Sequence, residues 1–324
     1  MKHSSLVRLF GRLLIIAPFG GLLALAACGS SGADVTDCPS SAPAGACCPW
    51  EVVQNGPSTL PAAGAFHTAC DPYCAGDGTH ATAFGCTNKP GTSDVVVCTC
   101  DSTGRRPAGL VAGPSAPCSS EIGAYFAGMA RLEAASVDAF RALHAELHLH
   151  HAPRALRRAA ASAARDEIRH ARTTARLAGR FGAAPQPVTI TPPIARTLEQ
   201  VAEENAVEGC VRETFGALVA SFQATSSRDP AVRSAMARIA RDEARHAALA
   251  WRVARWADGH LGPDARRRVA EARRAAAQKL LESQGEPDRE LARLAGVPTA
   301  ATARRMAEGM IATLWNPALH AAGA

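Results

Sequence analysis

The chain has 324 residues, a formal net charge of +6 and 11 cysteines. That modest excess of positive charge suits contact with anionic lipid better than nucleic acid, which is set aside as a partner. Beyond the first 28 residues, no segment is long and apolar enough to span a bilayer.

Residues 1–28 read as a processing segment. Lys2, His3, Arg8 and Arg12 give a positive start, and the apolar run from Leu13 to Ala27 is short for a membrane span. The run ends in Leu25-Ala26-Ala27-Cys28, which resembles the lipobox of bacterial lipoproteins. That resemblance implies acylation at Cys28 and attachment to the membrane of the cell envelope. Gly29 gives no inner-membrane retention signal, so the periplasmic or outer-membrane face is expected. An ordinary secretory signal cut nearby is the alternative.

Residues 29–118 change composition to Gly, Pro, Ser, Thr and Cys. Eight cysteines fall between Cys38 and Cys100, enough for four bridges in an exported module, with the connectivity open. Cys118 and Cys210 are left over. The block is expected to be a small disulfide-rich module with a linker, acting as spacer or recognition element. Zinc binding is the less favoured option in an oxidising compartment.

Residues 119–260 are rich in Ala, Leu, Arg and Glu, all good helix formers. Apolar residues recur at helical spacing at Phe126, Met129, Val137, Phe140, Leu143 and Leu147, and again at Val211, Phe215, Leu218, Val219 and Phe222. Breaks at Pro153, at Gly182 to Pro193 and at Asp229-Pro230 divide the stretch into helices near 119–150, 153–181, 194–226 and 229–259. The segment from 182 to 193 is long enough when extended to run the length of the helices, so one long crossover is expected rather than a tight turn.

The helical stretch repeats itself. Asp166-Glu167-Ile168-Arg169-His170 returns as Asp242-Glu243-Ala244-Arg245-His246, an offset of 242 − 166 = 76. Glu133 matches Glu208 at an offset of 208 − 133 = 75, and the one-residue slip is assigned to the turn. Each lone glutamate lies as far before its turn as the Glu-x-x-His lies after it. In antiparallel hairpins the six side chains therefore sit at one level. Residues three apart share a helix face and can serve one metal cluster. The candidate metal ligands are Glu133, Glu167, His170, Glu208, Glu243 and His246. Buried together, four glutamates need cations among them, and two divalent ions supply four positive charges. The bland alternative is a set of solvated carboxylates paired with arginines.

These motifs resemble the ferritin-like superfamily of carboxylate-bridged di-iron proteins, over a little under half of the chain. The Asp-Glu-x-Arg-His form is also similar to bacterial multicomponent monooxygenases, and the compact duplication to rubrerythrins. The resemblance implies an all-α fold with a ferritin-like four-helix bundle and one long crossover. It implies two iron ions, with manganese as a variant. Glu167 and Glu243 would bridge, His170 and His246 would each bind one metal, and Glu133 and Glu208 would be terminal. Asp166 and Asp242 would accept hydrogen bonds from the ligand imidazoles, with Arg169 and Arg245 pairing to them. No pair of Cys-x-x-Cys motifs is present, so the electron-donating domain of rubrerythrins is absent.

Glu204, one turn before Glu208, is either an optional seventh ligand or a solvated residue. Asp138 and Glu213 lie five residues beyond the ligand glutamates, about 140° round a regular helix, and are read as surface charges. Phe140 and Phe215 are read as cavity walls or ordinary core. Tyr125 is a core or interface residue before it is a redox one, and His144, His148, His150 and His151 are read as exposed. Residues 261–324 form a helical extension that braces the bundle, with a last helix near 299–313. The leading expectation is an exported, lipid-anchored oxidoreductase, ferroxidase-like, using oxygen or peroxide and an unknown electron donor. The alternative is a non-catalytic metal-binding or scaffold lipoprotein.

Overall fold

The computed structural model describes residues 121–190 and 195–315, with short pieces between residues 50 and 110. Residues 1–28, with the expected lipidation site Cys28, lie outside the described residues, as do the cysteine side chains between residues 29 and 118 and their expected disulfides. Within that block four short strands, β1 (Trp50–Val53), β2 (Ala65–Phe66), β3 (Gly85–Asn88) and β4 (Val95–Thr99), form an antiparallel sheet of order β1-β4-β3-β2.

The rest of the described chain is helical. Helix α1 spans Glu121–Leu149 and α2 spans Arg154–Arg180. A third helical run comprises α3 (Leu198–Glu204), a π-helical segment π1 (Asn205–Glu213) and α4 (Thr214–Ser226). Helix α5 spans Pro230–Asp258. Local chemistry sets several ends. Thr197 and Gln200 make a reciprocal capping box at the start of α3. Asp229 caps α5 by accepting hydrogen bonds from the Ala231 and Val232 amides at 2.8 and 3.1 Å, with Pro230 in the first turn. After α2 the chain turns at Gly182, whose φ of 78° suits a residue without a Cβ.

Helix α1 packs along α2 and α4 along α5, and α2 also meets α5. Two apolar layers form between them. One gathers Ile122, Phe126, Met129, Leu177, Val232, Met236 and Ile239. The other gathers Phe140, Leu143, Leu147, Leu156, Leu249 and Val253. On every helix involved, the acidic and histidine positions fall between these layers. The polar cluster is thus closed above and below by side chains that exclude water.

Beyond α5, helix α6 (Pro263–Glu282), a short π segment (Leu291–Ala295), α7 (Ala300–Met310) and a closing π turn (Ile311–Trp315) wrap the outside of π1 and α4. The Trp315 indole N–H donates to the Cys210 carbonyl at 2.8 Å. Ser227 Oγ donates to the Leu294 carbonyl at 2.6 Å. The expectation that the C-terminal segment braces the helices therefore has a contact to point to. No described helix is long and apolar enough to cross a membrane.

Candidate metal centre

Glu133 projects from α1, Glu167 and His170 from α2, Glu213 from the last position of π1, and Glu243 and His246 from α5. They form two groups, Glu133–Glu167–His170–Glu243 and Glu167–Glu213–Glu243–His246, each with one ligand atom per residue and all such atoms within 4.8 Å of one another. Glu167 and Glu243 belong to both groups, which is the position of bridging carboxylates. All six residues are buried.

The imidazoles aim inward. His170 Nδ1 lies 3.2 Å from Glu243 Oε1, 3.5 Å from Glu133 Oε2 and 3.7 Å from Glu167 Oε2. His246 Nδ1 lies 2.9 Å from Glu167 Oε1, 3.5 Å from Glu243 Oε1 and 3.9 Å from Glu213 Oε2. These approaches are close without hydrogen-bond geometry. Eight buried atoms of the cluster have no hydrogen-bond partner: Glu133 Oε2, both Glu167 oxygens, both Glu213 oxygens, Glu243 Oε1 and the Nδ1 atoms of His170 and His246. Buried polar atoms are almost always satisfied, so this many in one place makes a site that could hold a cation. Carboxylate and imidazole donors around a closed interior suit divalent transition metals, and these residues could hold metal ions.

The far side of each imidazole is held by the opposite hairpin. His170 Nε2 donates to Asp242 Oδ2 at 3.1 Å, and His246 Nε2 to Asp166 Oδ2 at 3.3 Å. An ionised aspartate there keeps the proton on Nε2 and leaves the Nδ1 lone pair facing the cluster. Arg245 reaches Asp242 at 2.6 Å and Asp166 at 3.3 Å, while Arg169 pairs with Asp166 and reaches Asp242 at 3.4 Å. The Asp–His pairs are therefore exchanged between hairpins, while each arginine pairs most closely with the aspartate of its own helix and reaches across to the other. The Phe140 ring sits 5.0 Å from the His246 ring and walls the cluster.

Without metal the cluster is electrostatically strained. Burial pushes the Glu133 carboxyl well above its ordinary range, with the charge of Glu167 adding to the effect. Burial does the same to Glu213, with Glu243 adding. For Glu167, burial is outweighed by the close approach of the His170 and His246 imidazoles, which holds it low. Burial disfavours charged imidazoles, yet the surrounding carboxylates raise both His170 and His246. The cluster therefore favours added positive charge, here as protons on carboxyls and imidazoles.

Two expectations are corrected. Glu208 is buried but stands outside both groups. It pairs with Arg212 Nε at 3.2 Å and accepts a hydrogen bond from the Arg106 amide at 3.1 Å. Its place is taken by Glu213, expected at the surface but only 1% exposed. The cause is the π helix: with i→i+5 hydrogen bonding, five residues come close to one full turn, so Glu213 swings inward. Glu204 is not in either group; it pairs with Arg196 and with Arg105 Nη2 at 3.1 Å.

The remaining assignments sort simply. Asp138 is a surface charge paired with Arg141 at 3.0 Å. Phe215 belongs to the same apolar cluster as Trp251 and Cys210, with the C-terminal helices. Tyr125 accepts a hydrogen bond from Gln223 Nε2 at 3.0 Å and packs edge-on to Phe126. His144, His148 and His150 bond to Arg157 or to the Arg196 carbonyl, and none joins a metal group among the described residues. No protein-family model, curated protein or solved structure matches this chain.

Proposed function

We propose that residues 119–260 form a ferritin-like four-helix bundle with one long crossover, and that the chain is an exported, lipid-anchored di-iron protein reacting with oxygen or peroxide. The observation that carries this reading is the convergence of four carboxylates and two imidazoles whose inward atoms have no partner. The crossover is supported by the non-helical stretch from 182 to 190 between α2 and α3.

Iron bound there would supply one-electron chemistry toward oxygen species. Glu133, Glu167 and Glu243 with His170 would hold one ion, and Glu167, Glu213 and Glu243 with His246 the other. The four carboxylates match the four positive charges of two divalent ions. Asp166 and Asp242 fix the imidazole tautomers, and the two apolar layers keep water from the inner atoms. The oxidised substrate is ferrous iron or a small molecule, and the electron donor is a separate partner.

The test is reconstitution of protein lacking residues 1–28 with ferrous iron, and in parallel with manganese, followed by elemental analysis. Two metals per chain are expected. Exposure of the ferrous form to oxygen or peroxide should give a near-ultraviolet charge-transfer band. Absence of bound metal would end the metal reading. Bound metal without the band would leave a metal-binding scaffold lipoprotein, and preferential retention of manganese would replace iron in the assignment.

A further inference from the structure

Two buried glutamates compete on one helical segment. Glu208 and Glu213 are one π turn apart, and both are hidden from water. Two divalent ions balance four carboxylates, and Glu133, Glu167, Glu213 and Glu243 already provide four. A fifth at the cluster would leave an uncompensated buried charge. Arg212 Nε on the same segment pairs with Glu208 Oε2 at 3.2 Å, and something further shares in holding that oxygen away.

That something comes from outside the helices. Residues 105–107, in the linker after the cysteine-rich block, are buried against α1 and π1, with Arg105 only 1% exposed. Ser136 Oγ on α1 donates to the Arg105 carbonyl at 2.7 Å. The next amide, of Arg106, donates to Glu208 Oε2 at 3.1 Å. The Arg105 guanidinium bonds Glu204 Oε1 at 3.1 Å and Asn205 Oδ1 at 3.3 Å, and lies 5.7 Å from the centre of the Phe140 ring. Phe140 in turn packs on His246. Gly209 makes the room: a Cβ there would come within 2.9 Å of Arg105 Nη1. The strap is secured further on by the Leu110–Ile190 bridge.

We propose that Arg105 is a positioning residue of the metal centre: by anchoring the strap on Glu204, Asn205 and Phe140 it sets the Arg106 amide on Glu208, which together with Arg212 holds that carboxylate off the cluster and leaves Glu213 as the ligand from this segment. The inference rests on the metal reading above. It also gives the linker a part in the centre, beyond joining two domains.

The test is anaerobic titration of the full chain with Co(II), whose visible d–d bands report coordination. Wild type and Glu208→Gln should each bind two ions with the same spectrum. Arg105→Met should still bind two, with altered bands, because Glu208 loses the Arg106 amide and is left with Arg212 alone. In that background Glu208→Gln should weaken one site about tenfold, a coupling absent from the parent. Arg105→Lys should restore the wild-type bands. Ser136→Ala, which loosens the strap without touching a charge, should shift the bands in the same direction and keeps the test open if Arg105→Met does not fold. Unchanged bands in Arg105→Met and Ser136→Ala, or metal loss in Glu208→Gln alone, would overturn the proposal while leaving the metal centre intact. Failure of wild type to bind Co(II) would instead overturn the metal reading itself.

Discussion

Replacing Glu213 by glutamine should stabilise the metal-free protein and destabilise the loaded one. In the metal-free form Glu213 is buried beside Glu243, and its carboxyl is raised well above the usual range. Keeping it folded at neutral pH therefore means taking up a proton or tolerating a buried charge, and the amide removes that cost. Each kcal/mol regained is worth about 2–4 °C in melting temperature for a helical region of this size. In the loaded form the same change deletes one of four ligand residues around the ion on the His246 side. Loss of a mere outer partner costs 10–100-fold in affinity, so a facing carboxylate should cost at least about 100-fold, or about 2.7 kcal/mol. Glu208→Gln should behave differently. It breaks the buried pair with Arg212, and costs about 3 kcal/mol in both forms with two metals retained. Calorimetric melting with and without metal, combined with elemental analysis, separates the cases. A Glu213→Gln protein that melts lower in both forms and keeps both metals would refute the placement of Glu213 in the site.

Further outcomes follow from the same geometry. Glu133, Glu213, His170 and His246 all have folded pKa values raised above their ordinary 4.5 or 6.5, so the metal-free fold binds more protons than the unfolded chain. Its stability should be greatest near pH 5 and fall as pH rises towards about 8, with metal flattening the slope; a pH series of denaturant melts checks this, and rising metal-free stability over that range would contradict it. Metal loading near pH 7 should release protons, measured as a dependence of titration heat on buffer ionisation enthalpy. Asp166→Asn and Asp242→Asn should each weaken metal binding about 10–100-fold, because each loosens an imidazole of the other hairpin. Gly209→Ala should cost about 1–3 kcal/mol of stability, since its Cβ would meet the Ala250 Cβ at 2.7 Å as well as Arg105.

Five of the six clustered residues were legible in the sequence because duplication and helix periodicity both point at them. Glu133, Glu167, His170, Glu243 and His246 each lie in regular helix, where spacing translates directly into direction. Glu213 was misread because a 3.6-residue turn was assumed where the turn is wider. A signal existed in the one-residue difference between the two repeat offsets. It was assigned to the turn, yet the second turn, 227–229, is shorter than the first, 150–153. From Glu133 to the end of its helix is 149 − 133 = 16 residues, and from Glu208 it is 226 − 208 = 18. The additional residues therefore sit inside the third helical run, as a π segment requires. Arg105 had no such signal: it lies outside every periodic segment, and only coordinates bring it to Glu204.

The asymmetry has a physical logic. Where the hairpins are alike, they brace one another through exchanged Asp–His pairs, and nothing outside the duplication is needed. The π1 segment is where they differ, and the chain outside the hairpins grips it from two directions. The strap at Arg105 and Arg106 holds its Glu208 and Asn205, and Trp315 bonds its Cys210 carbonyl. A π turn leaves carbonyls out of the usual ladder and disturbs side-chain packing, so it persists only where surrounding structure holds it. Arg105 and Trp315 are 210 residues apart in sequence (315 − 105) and grip the same segment. Loosening either should therefore unsettle Glu213 before it unsettles Glu133, and the change in coordination should appear first on the His246 side of the cluster.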